Sequence, residues 1–171
     1  MSHAKNKVEW CLRKAEKELG SGEKHRGLVK KKPDKEGARD YIKKAEHYLR
    51  ATEYLKEGDF SDISASTIFY AMYHCLLAIA SKFGYESRNQ ECTFALMHSL
   101  VEDGSISFDK EILDRIYALE VKEEWSEKTS TEIREKYQYG TGLSIKDDLY
   151  EELFELAKEV ISKAKEIIEE D

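Results

Sequence analysis

Hydrophobic residues recur every three or four positions along most of the chain, which is the spacing of one buried face of an α-helix. The first such stretch predicts a helix over residues 5–19 that ends at Gly20. The second predicts a helix that begins near Pro33-Asp34 and keeps its apolar stripe as far as Leu55. Gly58 is its predicted end, because glycine readily adopts the left-handed conformation that closes a helix.

The segment 63–83 is apolar almost all round and predicts a third helix that ends at Gly84. A helix without a polar face belongs inside a bundle, where neighbours touch it on several sides. His74 lies in its middle and has two interpretations: an acid or base in a cleft between helices, or a neutral histidine hydrogen-bonded in the core or at an interface. We favour the second. Tyr70 and Tyr73 flank it, and tyrosines on an interior helix usually place their hydroxyls at a cleft or at the core edge.

Two further helices are predicted after this central one. The fourth begins with Ser87 as its N-cap and continues to Gly104. The fifth begins at Phe108 or Asp109 and continues to Val121.

The polar segment 123–143 predicts a loop that contains at most a short helical piece. The last helix is predicted to open with Ser144 as its N-cap and Asp147 three residues later, a variant of the capping box. Its apolar seam continues to Ile167. Together these elements predict an all-α fold, an up-and-down helical bundle of four to five long helices in one domain that covers residues 1–171.

Composition excludes several other classes of protein. One proline and nine glycines are too few turn-formers for an all-β protein of many tight turns. No stretch approaches the roughly 20 continuous apolar residues of a membrane span. The first eight residues are polar and lack the apolar core of a signal peptide. The sequence therefore predicts a cytoplasmic protein that makes no contact with a membrane.

The three cysteines, Cys11, Cys75 and Cys92, are an odd number and show no CxxC spacing, so neither a disulfide nor a zinc site is predicted. Cys75 lies in an apolar run and is expected to be a small core residue. None of the four histidines from residue 25 onward follows a carboxylate by three positions, so a di-iron bundle site is not expected either. We expect no metal and no cofactor.

The net charge of −7 argues against nonspecific nucleic-acid binding by the whole surface but leaves room for a local basic site. Basic residues are densest in the predicted inter-helix loop 24–33, at Lys24, Arg26, Lys30, Lys31 and Lys32. Such a loop either neutralises phosphates and releases their counterions, or is a solvated linker between two helices. We favour the linker.

Arg88-Asn89 lies at the predicted start of the fourth helix. The free backbone N–H groups of a helix N-terminus attract anions, and the forked guanidinium of Arg88 suits a phosphate. A water-exposed capping cluster is an equally good interpretation.

Arg134, Tyr137 and Tyr139 lie in the polar segment, which is longer than a simple connector requires. A guanidinium and two phenols suit a phosphate and a stacked base, so these residues are candidates for binding a nucleotide, RNA or a partner protein. The alternative is a flap that covers the open end of the bundle. We place the binding function slightly ahead.

The order and spacing of these features resemble the HEPN superfamily of small helical bundles. Four runs carry the resemblance, which spans roughly residues 7–166: Trp10-Cys11-Leu12, Lys43-Lys44-Ala45-Glu46, Phe69-Tyr70-Ala71-Met72-Tyr73-His74, and the segment 84–93. The resemblance implies a homodimer, often encoded beside a minimal nucleotidyltransferase as a toxin–antitoxin pair.

Many members of this superfamily are metal-independent ribonucleases, whose motif is an arginine, a polar residue and then a histidine, with four to six residues between the arginine and the histidine. This sequence departs from that motif. After Arg134, the expected histidine positions hold Tyr139, Gly140 and Thr141. After Arg88, His98 comes too late, so no arginine has a histidine at the required distance.

The sequence therefore predicts a HEPN-type dimeric protein that binds a nucleotide, RNA or a nucleotidyltransferase partner in a toxin–antitoxin-like or defence system, without the standard nuclease chemistry. One alternative is an endoribonuclease with a rearranged site, in which His74 or His98 transfers the proton. The other is a purely structural interaction bundle.

Overall fold

The computed structural model describes residues 2–118 and 141–170. Within these residues the chain forms six helices and one two-stranded sheet. In chain order they are α1 (His3–Gly20), β1 (Leu28–Lys30), α2 (Lys35–Glu57), α3 (Ser61–Lys82), β2 (Tyr85–Ser87), α4 (Gln90–Glu102), α5 (Lys110–Ala118) and α6 (Asp147–Glu169). The predicted all-α helical bundle is confirmed.

Helix α3 is the centre of the bundle, as its lack of a polar face predicts. Phe69, Met72, Leu76 and Ile79 on it have no exposed surface, and α2 and α6 pack along it. Among the described residues, α3 alone is long and apolar enough to cross a membrane, but 67% of its most apolar window is buried inside the protein. That burial is typical of the core helix of a soluble protein.

Helix α6 packs against both α3 and α2, and its C-terminal end forms ion pairs with α2. The Glu169 carboxylate accepts hydrogen bonds from Nε and Nη2 of Arg39, both at 2.8 Å, and lies 3.2 Å from Nζ of Lys35. These contacts, led by the Arg39 hydrogen bond, lower the pKa of Glu169 to about 2.

Helix α1 packs against α4 and β1, and a disulfide joins Cys11 of α1 to Cys92 of α4. The prediction of no disulfide was wrong. The two cysteines are 81 residues apart in sequence, and only the packing of α1 on α4 brings their Cα atoms to 5.9 Å. Sequence spacing carries no signal for such a pair. Cys75 is a buried free thiol, as expected.

The segment 24–33 is more ordered than the predicted loop, because it contains β1. Strand β1 pairs antiparallel with β2, with Leu28 opposite Ser87 and Lys30 opposite Tyr85. Leu28 is fully buried. The positive φ of Gly84 turns the chain from α3 into β2, a conformation in which glycine has no Cβ clash. Strands of three residues are too short to show alternation in the sequence, so this sheet was not predicted.

Two predicted helix starts are corrected. Asn89, not Ser87, is the N-cap of α4, and its Oδ1 accepts a hydrogen bond from the Cys92 backbone N at 3.0 Å. Ser87 belongs to β2 instead. Helix α6 begins at Asp147 after Lys146, so Ser144 is not its N-cap. The predicted extension of the fifth helix to Val121, and most of the polar segment 123–143, lie outside the described residues.

Gly27 is the point at which the segment before β1 touches α1. A Cβ built at Gly27 would lie 2.4 Å from the backbone O of Cys11. We therefore expect Gly27→Ala to lower the free energy of unfolding by about 1–3 kcal/mol, measured by urea denaturation, because α1 must shift to admit the methyl group. Gly20→Ala is the control, since a Cβ there meets nothing within 4 Å. Equal midpoints for the two variants would contradict this close approach.

Candidate anion-binding cleft

A cavity of about 720 Å³ lies between the start of α2, the end of α3 and the two-stranded sheet. Lys31 and Lys32 come from the segment after β1, and Arg88 comes directly after β2. Tyr41 of α2 and Leu77 of α3 form an apolar wall. The volume falls in the range of pockets that bind small molecules.

The Glu86 carboxylate is the centre of the basic side of this cleft. Its Oε1 lies 3.0 Å from Nε2 of His25 and 2.9 Å from Nε of Arg88, and its Oε2 lies 3.2 Å from Nζ of Lys31. The hydrogen bond with His25, followed by the contacts with Lys31 and Arg88, lowers the pKa of Glu86 to about 2. Glu86 is therefore ionised at neutral pH and holds three side chains together.

His25 is almost fully buried, with 5% of its surface exposed, and sequence analysis did not single it out as a site residue. Its Nδ1 is buried and forms no hydrogen bond within the part of the chain that the structure describes. A buried N–H without an acceptor costs more than an unpaired acceptor nitrogen, so we place the proton on Nε2, where it is donated to Glu86. His25 lies three residues before β1, a strand that the sequence pattern does not reveal.

The structure separates the roles of Arg88 and Asn89. The Arg88 side chain is 50% exposed and lines the cleft, while its backbone N donates to the Gly27 carbonyl O at 3.1 Å. The Asn89 side chain is used as the cap of α4. Behind this turn, Thr93 Oγ1 donates to Ser87 Oγ at 2.7 Å.

The same Thr93 hydroxyl continues the chain of hydrogen bonds into the core. Its Oγ1 lies 3.0 Å from the hydroxyl of Tyr73, which is buried on α3. These hydrogen bonds anchor the turn that carries Arg88 to α3, the central helix of the bundle.

His74 is half-buried beside the cleft rather than deep in the core. Its Nδ1 lies 2.8 Å from the Tyr70 carbonyl O, and its ring lies 5.1 Å from the ring of Tyr48 and 6.2 Å from that of Tyr41. Burial is the main cause that lowers the pKa of His74, so it is neutral at pH 7. Because Nδ1–H donates to a carbonyl, Nε2 is an acceptor, and no group within residues 2–118 and 141–170 hydrogen-bonds to it.

His98 does not lie at this cleft. His98 lines a separate cavity of about 480 Å³ between α1, α4 and α5, where its Nε2 lies 3.4 Å from Oδ1 of Asp114. Arg134, Tyr137 and Tyr139 lie outside the described residues.

The family model for the HEPN domain matches residues 38–168, which is most of the chain and extends from α2 to α6. The chain belongs to the HEPN domain family. None of the curated proteins matches it. Helix α1 and strand β1 lie before the matched region.

The cleft is therefore composite. The HEPN region supplies Tyr41, Glu86 and Arg88, whereas the preceding N-terminal segment, residues 3–31, supplies His25 and Lys31. The charged contacts around Glu86 join these two parts of the chain.

Glu86→Gln tests the charged contacts at the centre of the cleft. Because the folded pKa of about 2 lies below the ordinary value of 4.5, the carboxylate stabilises the folded state fully above pH 4.5, and this stabilisation is lost as the pH falls towards 2. We expect Glu86→Gln to lower the free energy of unfolding at pH 7 by on the order of 1–2 kcal/mol, less than full linkage because the group is partly exposed.

The difference in the free energy of unfolding between the unmodified protein and Glu86→Gln should shrink as urea titrations are repeated from pH 4.5 to pH 2.5. Glu169 loses its stabilising contacts in the same window, but it does so in both proteins and cancels in the difference. Glu16→Gln is the matched control, since Glu16 is exposed and forms no ion pair among the described residues. A difference that is independent of pH would show that the Glu86 charge is not what stabilises the cleft.

Proposed function

We propose that this HEPN protein binds the phosphate groups of RNA or of a nucleotide in the cleft between α2, α3 and the sheet. The observation that carries the proposal is the convergence of Lys31, Lys32 and Arg88 on one cavity of a chain whose net charge is −7. Two carboxylates share the cavity: Asp34 accepts from the Gly37 backbone N as the cap of α2, and Glu86 pairs with Lys31 and Arg88. The lining therefore carries three cations against two carboxylates. Cations on a cleft wall attract phosphates by releasing their counterions.

The apolar wall of the cleft supports recognition of a base beside the phosphate. Tyr41 and Tyr85 line the cavity, and an aromatic side chain stacks on any base without reading its sequence. The volume of about 720 Å³ suits one nucleotide unit with its base. Arg134, Tyr137 and Tyr139 stay sequence-based candidates for further contacts to the same ligand.

The proposal extends to a cytoplasmic homodimer that acts with a minimal nucleotidyltransferase in a toxin–antitoxin-like or defence system. Its basis is the resemblance to HEPN proteins together with one face of α3. Ile63, Tyr70, His74 and Leu77 follow one another at helical spacing and keep part of their surface exposed. A partly apolar stripe on an otherwise buried helix is suited to a partner chain.

Fluorescence anisotropy with a labelled single-stranded oligouridylate tests the proposed phosphate site. We expect Lys31→Ala/Arg88→Ala to weaken binding at least tenfold, because two phosphate contacts are lost. The slope of log affinity against log salt should fall by about 1.4, at about 0.7 for each contact to a single strand. Lys17→Ala/Lys110→Ala is the charge-matched control, since both lysines are exposed and lie outside the cleft.

Competition by uridine monophosphate distinguishes a nucleotide ligand from an RNA ligand. If the nucleotide displaces the labelled strand at a similar concentration, the site binds a single nucleotide and does not require an RNA chain. Melting temperatures of both double variants check that the fold is intact. Equal affinity of the two double variants, or no binding by the unmodified protein, would overturn the proposed site and favour a purely structural bundle.

A second candidate function, an endoribonuclease with a rearranged site, is favoured by one observation. His74 is neutral, has an unpaired Nε2 among the described residues, and contacts Tyr41 on the cleft wall, so it is suited to accept a proton from an RNA 2′-hydroxyl.

Incubation of labelled RNA with excess protein in EDTA discriminates the two functions. Under the binding proposal we expect intact RNA, because no arginine has a histidine at the spacing of the family motif. Cleavage that disappears in His74→Ala and persists in His98→Ala would instead establish the enzyme, with His98 as the control because it lines a separate cavity.

A further inference from the structure

The N-terminal segment is held to the HEPN region by few contacts at the cleft. Strand β1 pairs with only the three residues of β2, and His25 and Lys31 contact Glu86. A two-stranded sheet of this size is not stable by itself. The Cys11–Cys92 disulfide is the one covalent link between this segment and the described HEPN region besides the chain itself.

The disulfide is joined to the cleft through the turn that carries Arg88. Cys92 lies in the first turn of α4, and its backbone N donates to the side chain of Asn89, which follows Arg88 directly. On the other side, Cys11 lies against Gly27, where a Cβ would meet the Cys11 carbonyl at 2.4 Å. The Gly27 carbonyl in turn accepts from the backbone N of Arg88 at 3.1 Å. The bonded cysteines thus fix both partners of that hydrogen bond.

We propose that the Cys11–Cys92 pair is a thiol–disulfide switch that controls phosphate binding in the cleft. In the oxidised form, α1 holds β1 against β2 and keeps Lys31 beside Arg88. In the reduced form, α1 no longer holds β1 firmly against β2, the two strands separate, and the cleft loses one of its basic walls. The switch rests on the proposed function for its ligand, but its structural change is independent of any ligand.

The chemistry needs a dithiol reductant. One thiolate of the dithiol attacks a sulfur of the pair and forms a mixed disulfide, and its second thiolate then resolves that bond. Two electrons and two protons pass to Cys11 and Cys92, and the dithiol becomes a cyclic disulfide. Cys75 takes no part, because it is fully buried and burial raises the pKa of its thiol, which keeps it un-ionised.

Burial of both bonded cysteines makes the switch depend on opening of α1. Neither Cys11 nor Cys92 has exposed surface, so a reductant reaches the bond only when α1 moves away from α4. In the cytoplasm proposed above, the disulfides that do form are usually transient and redox-sensing.

The test compares the oxidised protein, the same protein after excess dithiothreitol, and Cys11→Ser/Cys92→Ser. Thiol titration of the unfolded chain should count one free thiol before reduction and three after it, since only Cys75 is free. We expect the reduced protein and the double variant to bind the labelled oligouridylate at least tenfold more weakly than the oxidised protein. Cys75→Ser is the control and should keep the full response to reduction.

Hydrogen exchange gives a readout that needs no RNA. On reduction, we expect the amides of β1 and β2 to lose protection while those of α2 and α3 keep theirs. Unchanged protection of the strands, or loss of protection throughout the bundle, would overturn the switch. Oxidised protein that fails to bind RNA would count against the proposed function alone, and exchange would then decide the switch separately.

Discussion

Burial of α3 is the constraint on which the other elements depend. A helix of 22 residues with fully buried Phe69, Met72 and Leu76 is stable in water only when neighbours cover it. Helices α2 and α6 do so along its length, and the small residues Ala71 and Ala78, which have no exposed surface, let their backbones approach closely. The position of α3 then determines where the chain reaches the surface after the C-terminal end of this helix.

The cleft forms beside the C-terminal end of α3. After α3 ends, Gly84 turns the chain into β2, and the following turn presents Arg88 before α4 returns to the bundle. Tyr73 on α3 is linked through Thr93 to Ser87 beneath that turn. The rigid core therefore sets the geometry of one basic wall, while the other wall depends on a three-residue sheet and on the charged contacts of Glu86.

Much of the bundle could be predicted from the sequence, because its signals are local. Asp34 and Gly58 bound α2 as predicted, although Asp59, with a φ of 64°, adopts the left-handed conformation instead of Gly58. The uniform apolarity of 63–83 identifies the central helix. The N-cap of α4 was misplaced by two residues, because serine and asparagine are both good caps and only the β1–β2 pairing takes Ser87 out of the helix.

The candidate site was less predictable, because it is assembled from positions distant in sequence. Arg88 was recognisable from its place near a helix start, but its partner Lys31 lies in a segment that looked like a linker. His25 meets Glu86 across 61 positions, and Cys11 meets Cys92 across 81. No periodicity in a single chain encodes such pairs, since they follow from how α1 and β1 dock on the finished bundle.

The start of the HEPN match at residue 38 has a consequence for where the charge of the cleft is encoded. The matched region extends from α2 to α6, while one basic wall of the cleft comes from the N-terminal segment that precedes it. Substitutions at exposed positions of the N-terminal segment, such as Lys31, change the charge of the ligand surface while the buried residues of α3 stay in place. Part of the charge of the ligand surface is therefore encoded outside the region that identifies the family.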